Sequence, residues 1–226
     1  MRDLHASQIK AAVEAVKARK EVKHEVYFVA CGGSQAVLMA GQYMFDKESS
    51  IPSHVYTANE FVYDTPKRLN ENSVVISCSH SGNTPETVEA TKLARSKGAL
   101  TICLSNLEGS PLWEAAEYPV HYDWGKEVSD SDKNKGILYG LLFSLLSVLA
   151  PDAKWDVCLK ELEKLTDLSA QAKHSTMHRR RHGRSATSVR RPSTPSAAAS
   201  TMVRSTPRDV LVHGDAVDQL RMHPLR

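Results

Sequence analysis

A run of hydroxyl-bearing residues follows a short apolar stretch near the middle of the chain. Val74-Val75-Ile76 leads into Ser77-Cys78-Ser79-His80-Ser81-Gly82-Asn83-Thr84, and a helical pattern follows over residues 87–97. A turn between a buried strand and a helix places hydroxyls and backbone N–H groups at the positive end of the helix dipole. The chemistry that this arrangement predicts is the binding of a phosphate group.

A second turn between a strand and a helix has similar features. Residues 25–31 form a nearly continuous apolar run, which is typical of a strand covered on both faces, and Gly32-Gly33-Ser34 comes next. Two glycines allow the backbone to approach a ligand closely, and Ser34 is predicted to be the N-cap of the following helix. Taken alone the motif is weak, because tight turns use glycine for steric reasons about as often as for ligands.

Strand and helix patterns alternate along the chain. We predict strands at residues 25–31, 53–57, 73–78, 99–105 and 118–123. We predict helices at residues 5–20, after Ser34, after Thr84, at Ser110-Pro111, over 130–149 and over 151–172. The alternation indicates a three-layer α/β/α fold around a five-stranded parallel sheet. A flavodoxin-like strand order would bring the turns after the first and third strands to the switch point, where ligands bind.

Composition and targeting signals narrow the class of protein. Apolar residues make up 41% of the chain and charged residues 24%, as in ordinary soluble domains. The start, Met1 to His5, lacks the apolar core of a signal peptide, and the longest apolar run, 137–149, is too short to span a bilayer. The four cysteines show no paired spacing, so we expect reduced thiols without a metal. We therefore expect a cytoplasmic protein with no cofactor and no membrane association.

Both turns resemble those of the SIS (sugar isomerase) domain family, over residues of about 20–150. The resemblance rests on Cys31-Gly32-Gly33-Ser34, on the family's Ser-x-Ser-Gly-x-Thr phosphosugar loop at residues 79–84, and on the gap between them. Within the family, Asn59-Glu60-Phe61, Asp64-Thr65-Pro66 and Arg68-Leu69 are most similar to fructoselysine 6-phosphate deglycases and related fructosamine-phosphate deglycases. The resemblance implies a sugar phosphate held by Gly33, Ser34, Ser79, His80, Ser81 and Thr84.

Some of these assignments have alternatives. Helix capping is the other role open to the hydroxyls, and His80 stands where many members carry glutamine, so phosphate binding is expected to depend on pH. Glu60 is a candidate acid–base residue, although a surface glutamate at a helix start is the simpler interpretation. The family also lines its site just past the last strand, where Glu127, Asp130, Asp132 and Lys133 lie without a motif to fix their alignment.

The composition changes after residue 172. Residues 173–226 hold 11 of the 29 Lys and Arg but only 3 of the 26 Asp and Glu, and they contain no Phe, Tyr, Trp, Ile or Glu. Such a segment cannot bury enough apolar surface to fold, so it is predicted to be a disordered basic tail. We hypothesise that it is a frameshifted reading that replaces a second SIS domain. A genuine tail that binds nucleic acid is the alternative, which its lack of aromatic residues disfavours.

These observations divide the chain into an N-terminal helix over 1–24, an SIS domain over 25–150, an amphipathic helix over 151–172 and the tail. Deglycases and isomerases of the family take a glutamate base and a histidine from the second domain or its tail, and this chain offers no convincing match. We expect a sugar-phosphate-binding domain of a deglycase or isomerase for an amino-acid-linked hexose 6-phosphate. This chain alone is expected to bind a sugar phosphate weakly at most and not to turn it over. The alternatives are a sugar-phosphate-sensing regulatory module and a homodimer formed through the helix Ile137–Leu149.

Overall fold

Five short strands form one parallel sheet in the order β2-β1-β3-β4-β5. The computed structural model describes residues 3–19 and 25–165. The strands are β1 (Glu25–Ala30), β2 (Ser53–Thr57), β3 (Ser73–Cys78), β4 (Leu100–Ser105) and β5 (Tyr118–His121). The predicted five-stranded parallel sheet and its flavodoxin-like order are confirmed. Strand β5 lies at an edge of the sheet, where Pro119, which has no N–H, is tolerated.

Helices cover both faces of the sheet. They are α1 (Asp3–Ala18), α2 (Gly32–Glu48), α3 (Ala58–Tyr63), α4 (Pro85–Ser96), α5 (Pro111–Ala115), α6 (Asn134–Leu149) and α7 (Lys154–Glu163). Because strand side chains alternate, Val26 and Phe28 of β1 pack with α1, α2 and α6 on one face, whereas Tyr27 and Val29 pack with α3 and α4 on the other. This arrangement is the predicted three-layer α/β/α fold.

Helix α6 is the most apolar helix of the fold. Its fully covered side chains are Ile137, Leu138, Leu141, Leu142, Leu145 and Leu146, and they belong to the same core cluster as the sheet residues on that face. Burial of each such side chain contributes about 2 kcal/mol before the cost of ordering it. The predicted role as a core helix is confirmed. Among the described residues, no helix combines the length and apolar character that crossing a bilayer requires.

Several predicted boundaries differ from the structure. The helix predicted from residue 130 begins at Asn134, because residues 130–133 form a turn whose ion pair joins Lys133 Nζ to Asp130 Oδ1 at 2.7 Å. The helix predicted over 151–172 extends from Lys154 to Glu163 in the structure. Residues 166–172 and the predicted tail over 173–226 lie outside the described residues.

The four cysteines are free thiols, as predicted, but only two of them are buried. Burial raises the pKa of Cys78 and of Cys103 to about 12, while Cys31 and Cys158 are half-buried. Since the thiolate is the reactive form, we expect iodoacetamide to label Cys31 and Cys158 in the folded protein, and Cys78 and Cys103 only after denaturation. Peptide mass spectrometry checks this, and labelling of Cys78 at the rate of Cys158 would contradict the packing described.

Candidate phosphosugar site

The turns after β1 and β3 lie side by side. The two strands are neighbours, and their last residues, Ala30 and Cys78, are paired in register. Two interactions join the turns: Thr87 Oγ1 donates to Cys31 Sγ at 3.8 Å, and, against the larger effect of burial, the Ser34 hydroxyl lowers the pKa of the Cys78 thiol. The parallel sheet thus brings together the two motifs that sequence analysis singled out, at the carboxyl edge of its central strands.

Helix α2 begins earlier than predicted. Cys31 is the N-cap, with extended backbone angles, and Ser34 lies within the first turn, so the prediction that Ser34 caps the helix is wrong. The reason is Gly32, which adopts φ +55° and lets the chain enter the helix directly from the strand. Among the described residues, no atom lies within 4 Å of a Cβ built at Gly33. Protein packing therefore leaves the space beside Gly33 open to a ligand.

Ser79 and Thr84 close the loop that joins β3 to α4. Ser79 is 3% exposed, and its Oγ lies 2.9 Å from Thr84 Oγ1. Thr84 is at the predicted N-cap position of α4, with Pro85 next, but its hydroxyl engages Ser79 rather than capping the helix within the described structure. Each hydroxyl carries one hydrogen, and the hydrogen bond between Ser79 and Thr84 uses one of the two. The other O–H can donate to an acceptor such as a phosphate oxygen.

The rest of the loop faces outward. Ser81 and His80 are exposed, and Ser81 Oγ accepts a hydrogen bond from the Asn83 N–H at 3.3 Å. Because the first N–H groups of any α-helix lack partners within the helix, the N-termini of α2 and α4 supply further donors beside these hydroxyls. The combination of hydroxyls, helix N-termini and an exposed rim suits an anion.

His80 is held by two aromatic residues that sequence analysis did not identify. Its Nδ1 lies 3.0 Å from the Tyr122 hydroxyl, and its ring meets Trp124 edge-on with 5.0 Å between ring centroids. Burial raises the pKa of Tyr122, so its phenol stays protonated at neutral pH. With Nδ1 engaged, Nε2 is the His80 nitrogen that can serve a ligand. The available sequence signal was the strand predicted over residues 118–123, which includes Tyr122. In the structure the Tyr122 N–H donates to the Ser105 carbonyl at 3.2 Å.

The candidate carboxylates have different surroundings. Glu60 is exposed in the first turn of α3, where its N–H donates to Thr57 Oγ1 at 3.3 Å, and α3 leaves the same edge of the sheet as the two turns. Glu127 is exposed. Asp132 lies 3.3 Å from Nδ1 of the buried His5, whose pKa is lowered by burial. Glu60 therefore remains a predicted acid–base residue, whereas the Asp132 carboxylate is hydrogen-bonded to His5 of α1.

A five-stranded parallel sheet covered by helices, with a hydroxyl-rich loop at its switch point, defines an α/β protein with a candidate anion-binding site. Residues 21–150 match the SIS domain family. The chain belongs to this family, as its motifs predicted.

Comparison with known proteins places the deglycases among its relatives. The chain is 46% identical over 159 residues to the fructosamine deglycase FrlB of Bacillus subtilis (strain 168), covering 70% of this chain and 48% of the relative. It is 28% identical over 144 residues to the fructoselysine 6-phosphate deglycase of Escherichia coli (strain K12), covering 62% of this chain and 40% of that one. The chain therefore spans about half the length of the curated relatives it matches.

Two solved structures share the fold with detectable sequence identity. One, from Bacillus subtilis, is assigned as a phosphosugar isomerase; it has a TM-score of 0.66 and 41% identity, and the match covers 79% of this chain and 57% of that one. The other, from Salmonella typhimurium LT2 with the same assignment, has a TM-score of 0.70 and 32% identity, and the match covers 79% and 54% of the two chains. In both cases the match spans about half of the larger protein.

Proposed function

We propose that this chain binds the phosphate of a hexose 6-phosphate in the loop of residues 79–84, as one SIS domain of a fructosamine-phosphate deglycase or phosphosugar isomerase. The observation that carries the proposal is the loop itself, closed by Ser79 and Thr84 and seated against the start of α2. The relatives named above act, by their names, on fructosamines or on fructoselysine 6-phosphate. An amino-acid-linked hexose 6-phosphate is therefore the substrate class that the likeness favours.

Each predicted contact has a distinct chemical role. Ser81 donates its hydroxyl hydrogen to a phosphate oxygen, and the Ser79–Thr84 pair donates the one O–H that is not used between them. The half-buried Ser34 lies beside them in the first turn of α2. Gly33 gives the ligand access to the backbone. His80 contributes Nε2, since its Nδ1 is occupied by the Tyr122 hydroxyl.

Proton transfer at C1 and C2 of the open-chain sugar requires a positioned base. Glu60 is the candidate within the described residues, and the remaining groups are proposed to come from a second SIS domain. The chain alone is thus expected to bind its ligand without turning it over.

The exposed hydroxyl of Ser81 offers a direct test of the loop. Ser81→Ala is expected to weaken fructose 6-phosphate binding roughly tenfold, since a hydrogen bond to a charged group is worth about 1.5–3 kcal/mol. Isothermal titration calorimetry measures this. Ser96→Ala, which removes an exposed hydroxyl from the last turn of α4, is the matched control and should leave binding unchanged. Equal affinities for both variants would refute the loop as the phosphate site.

A homodimer through α6 is a further proposal. Tyr139 and Phe143 are half-buried and stack with 6.0 Å between ring centroids, and Phe143 also stacks on Trp155 of α7. Half-buried aromatic rings are typical anchors of protein interfaces. Light scattering of the purified chain tests it, and a monomer at micromolar concentration would exclude it.

A further inference from the structure

Two histidines and an aspartate from distant parts of the chain meet on the α1 side of the sheet. His5 lies on α1, His121 ends β5, and Asp123 follows two residues later; one ligand atom from each lies within 4.8 Å of the others. His5 is fully buried, and its ring lies 5.7 Å from that of His121 between centroids. Neither histidine belongs to the phosphosugar loop, so this cluster needs a separate explanation.

Hydrogen bonds fix which nitrogen of each ring carries its proton. His5 Nδ1 lies 3.3 Å from Asp132 Oδ1, and a carboxylate only accepts, so this nitrogen donates. His121 Nε2 lies 2.9 Å from the Asn106 carbonyl oxygen, which also only accepts. In the neutral rings, the lone pairs are therefore on His5 Nε2 and His121 Nδ1.

Neither of these two nitrogens receives a hydrogen bond from a described residue. Both are buried and have no hydrogen-bond partner among residues 3–19 and 25–165. His5 Nε2 also lies 3.5 Å from Asp123 Oδ2, so a lone pair and a carboxylate oxygen stand opposite each other. Leaving two buried imidazole nitrogens without a donor is costly, and a bound cation would remove that cost.

We propose that His5, His121 and Asp123 form a binding site for a divalent transition-metal ion, with Zn²⁺ as the ion best suited. Two imidazoles and a carboxylate are a donor set that Zn²⁺ accepts, with a fourth position left for water. Asp132 and the Asn106 carbonyl hold the outer nitrogens, as partners of metal-bound histidines commonly do. Cysteine spacing predicts no metal, whereas this donor set comes from histidines that are more than a hundred residues apart in the chain.

The ligand atoms need a small inward movement to hold an ion. Bonds of about 2.0–2.1 Å place tetrahedral ligands roughly 3.3 Å apart, close to the 3.5 Å between His5 Nε2 and Asp123 Oδ2. The widest present separation of 4.8 Å must shorten by about 1.5 Å, which side-chain rotation can supply. The bound ion would join α1 to the edge strand β5. This inference does not depend on sugar-phosphate binding.

Spectroscopy and thermal unfolding of the full chain test the site together. After treatment with a chelator, Co²⁺ is expected to produce the visible absorption of a four-coordinate ion, and Zn²⁺ to raise the unfolding midpoint by several degrees. His121→Gln and Asp123→Asn should each lose both responses and weaken Zn²⁺ binding at least tenfold. His54→Gln removes a histidine of β2 that pairs with Glu25 of β1, and it should keep both responses.

The variants also separate this site from the five histidines of residues 173–226. Metal binding by that segment would persist in His121→Gln and Asp123→Asn, so identical responses in these variants and the wild type would overturn the proposal. Circular dichroism without metal shows whether each variant is folded. If both variants misfold, the wild-type protein decides, because an unfolding midpoint that neither Zn²⁺ nor chelator changes also overturns it.

Discussion

Replacing Gly82 by alanine is expected to abolish hexose 6-phosphate binding and to destabilise the domain by about 2–5 kcal/mol. Gly82 adopts φ +66°, which costs an L-residue about 1–2 kcal/mol. A Cβ there would lie 1.9 Å from Ser110 Oγ, 2.4 Å from Ser110 Cβ and 2.9 Å from Ser105 Oγ. Overpacking of this kind costs a further 1–3 kcal/mol. Denaturant titration and calorimetry measure the two effects.

The steric part of that effect arises because the loop cannot move away. The Leu112 N–H donates to the Gly82 carbonyl at 3.0 Å, and Ser105 and Ser110 are both buried. Gly109→Ala is the matched control, since Gly109 has φ +68° but no atom within 4 Å of a built Cβ among the described residues. It should show the backbone strain alone and retain binding. Equal losses in both variants would show that close packing at Gly82 is unimportant.

Replacing Gly136 by alanine is expected to destabilise the domain by about 3 kcal/mol or more. A Cβ at this position, in the first turn of α6, would lie 2.5 Å from the carbonyl oxygens of both Asp130 and Ser131. These are backbone atoms, so no side-chain rotation can relieve the overlap, and the turn over 130–133 must separate from the helix. Urea denaturation followed by circular dichroism measures the change in unfolding free energy.

Gly33→Ala provides the comparison for stability. Gly33 also lies in the first turn of a helix, and a Cβ there meets no atom within 4 Å in the described structure. Because alanine favours helix by about 1 kcal/mol over glycine, this variant should be as stable as the wild type or slightly more so. A loss of stability in Gly33→Ala as large as that in Gly136→Ala would contradict the packing at the start of α6.

The sheet could be predicted because its strands are short apolar runs separated by turn residues. Residues 25–30 and 73–78 are buried along their whole length, and such runs in alternation with helices allow few topologies. The phosphate-suited loop could be predicted for the same reason, since its hydroxyls follow the third strand directly. The family resemblance then specified the class of anion expected at this loop, a sugar phosphate.

Other features depend on geometry that residue patterns do not reveal. A hydroxyl is preferred at the N-cap, so the sequence predicts Ser34 there, but the left-handed conformation of Gly32 makes α2 begin earlier. His80 forms a hydrogen bond with Tyr122, 42 positions away in the sequence, and His5 forms one with Asp132, 127 positions away. Contacts between positions so far apart become visible only once the strand order is known.

The most direct test of the account is a titration of the ¹⁵N-labelled chain with fructose 6-phosphate, followed by NMR of the backbone amides. Phosphate binding at the switch point predicts that the largest shifts belong to residues 79–84 and to Gly33 and Ser34, that fructose without phosphate leaves them unchanged, and that Gly82→Ala loses them. Shifts confined to other parts of the chain, or equal shifts with fructose, would contradict the assignment of this loop as a phosphosugar site.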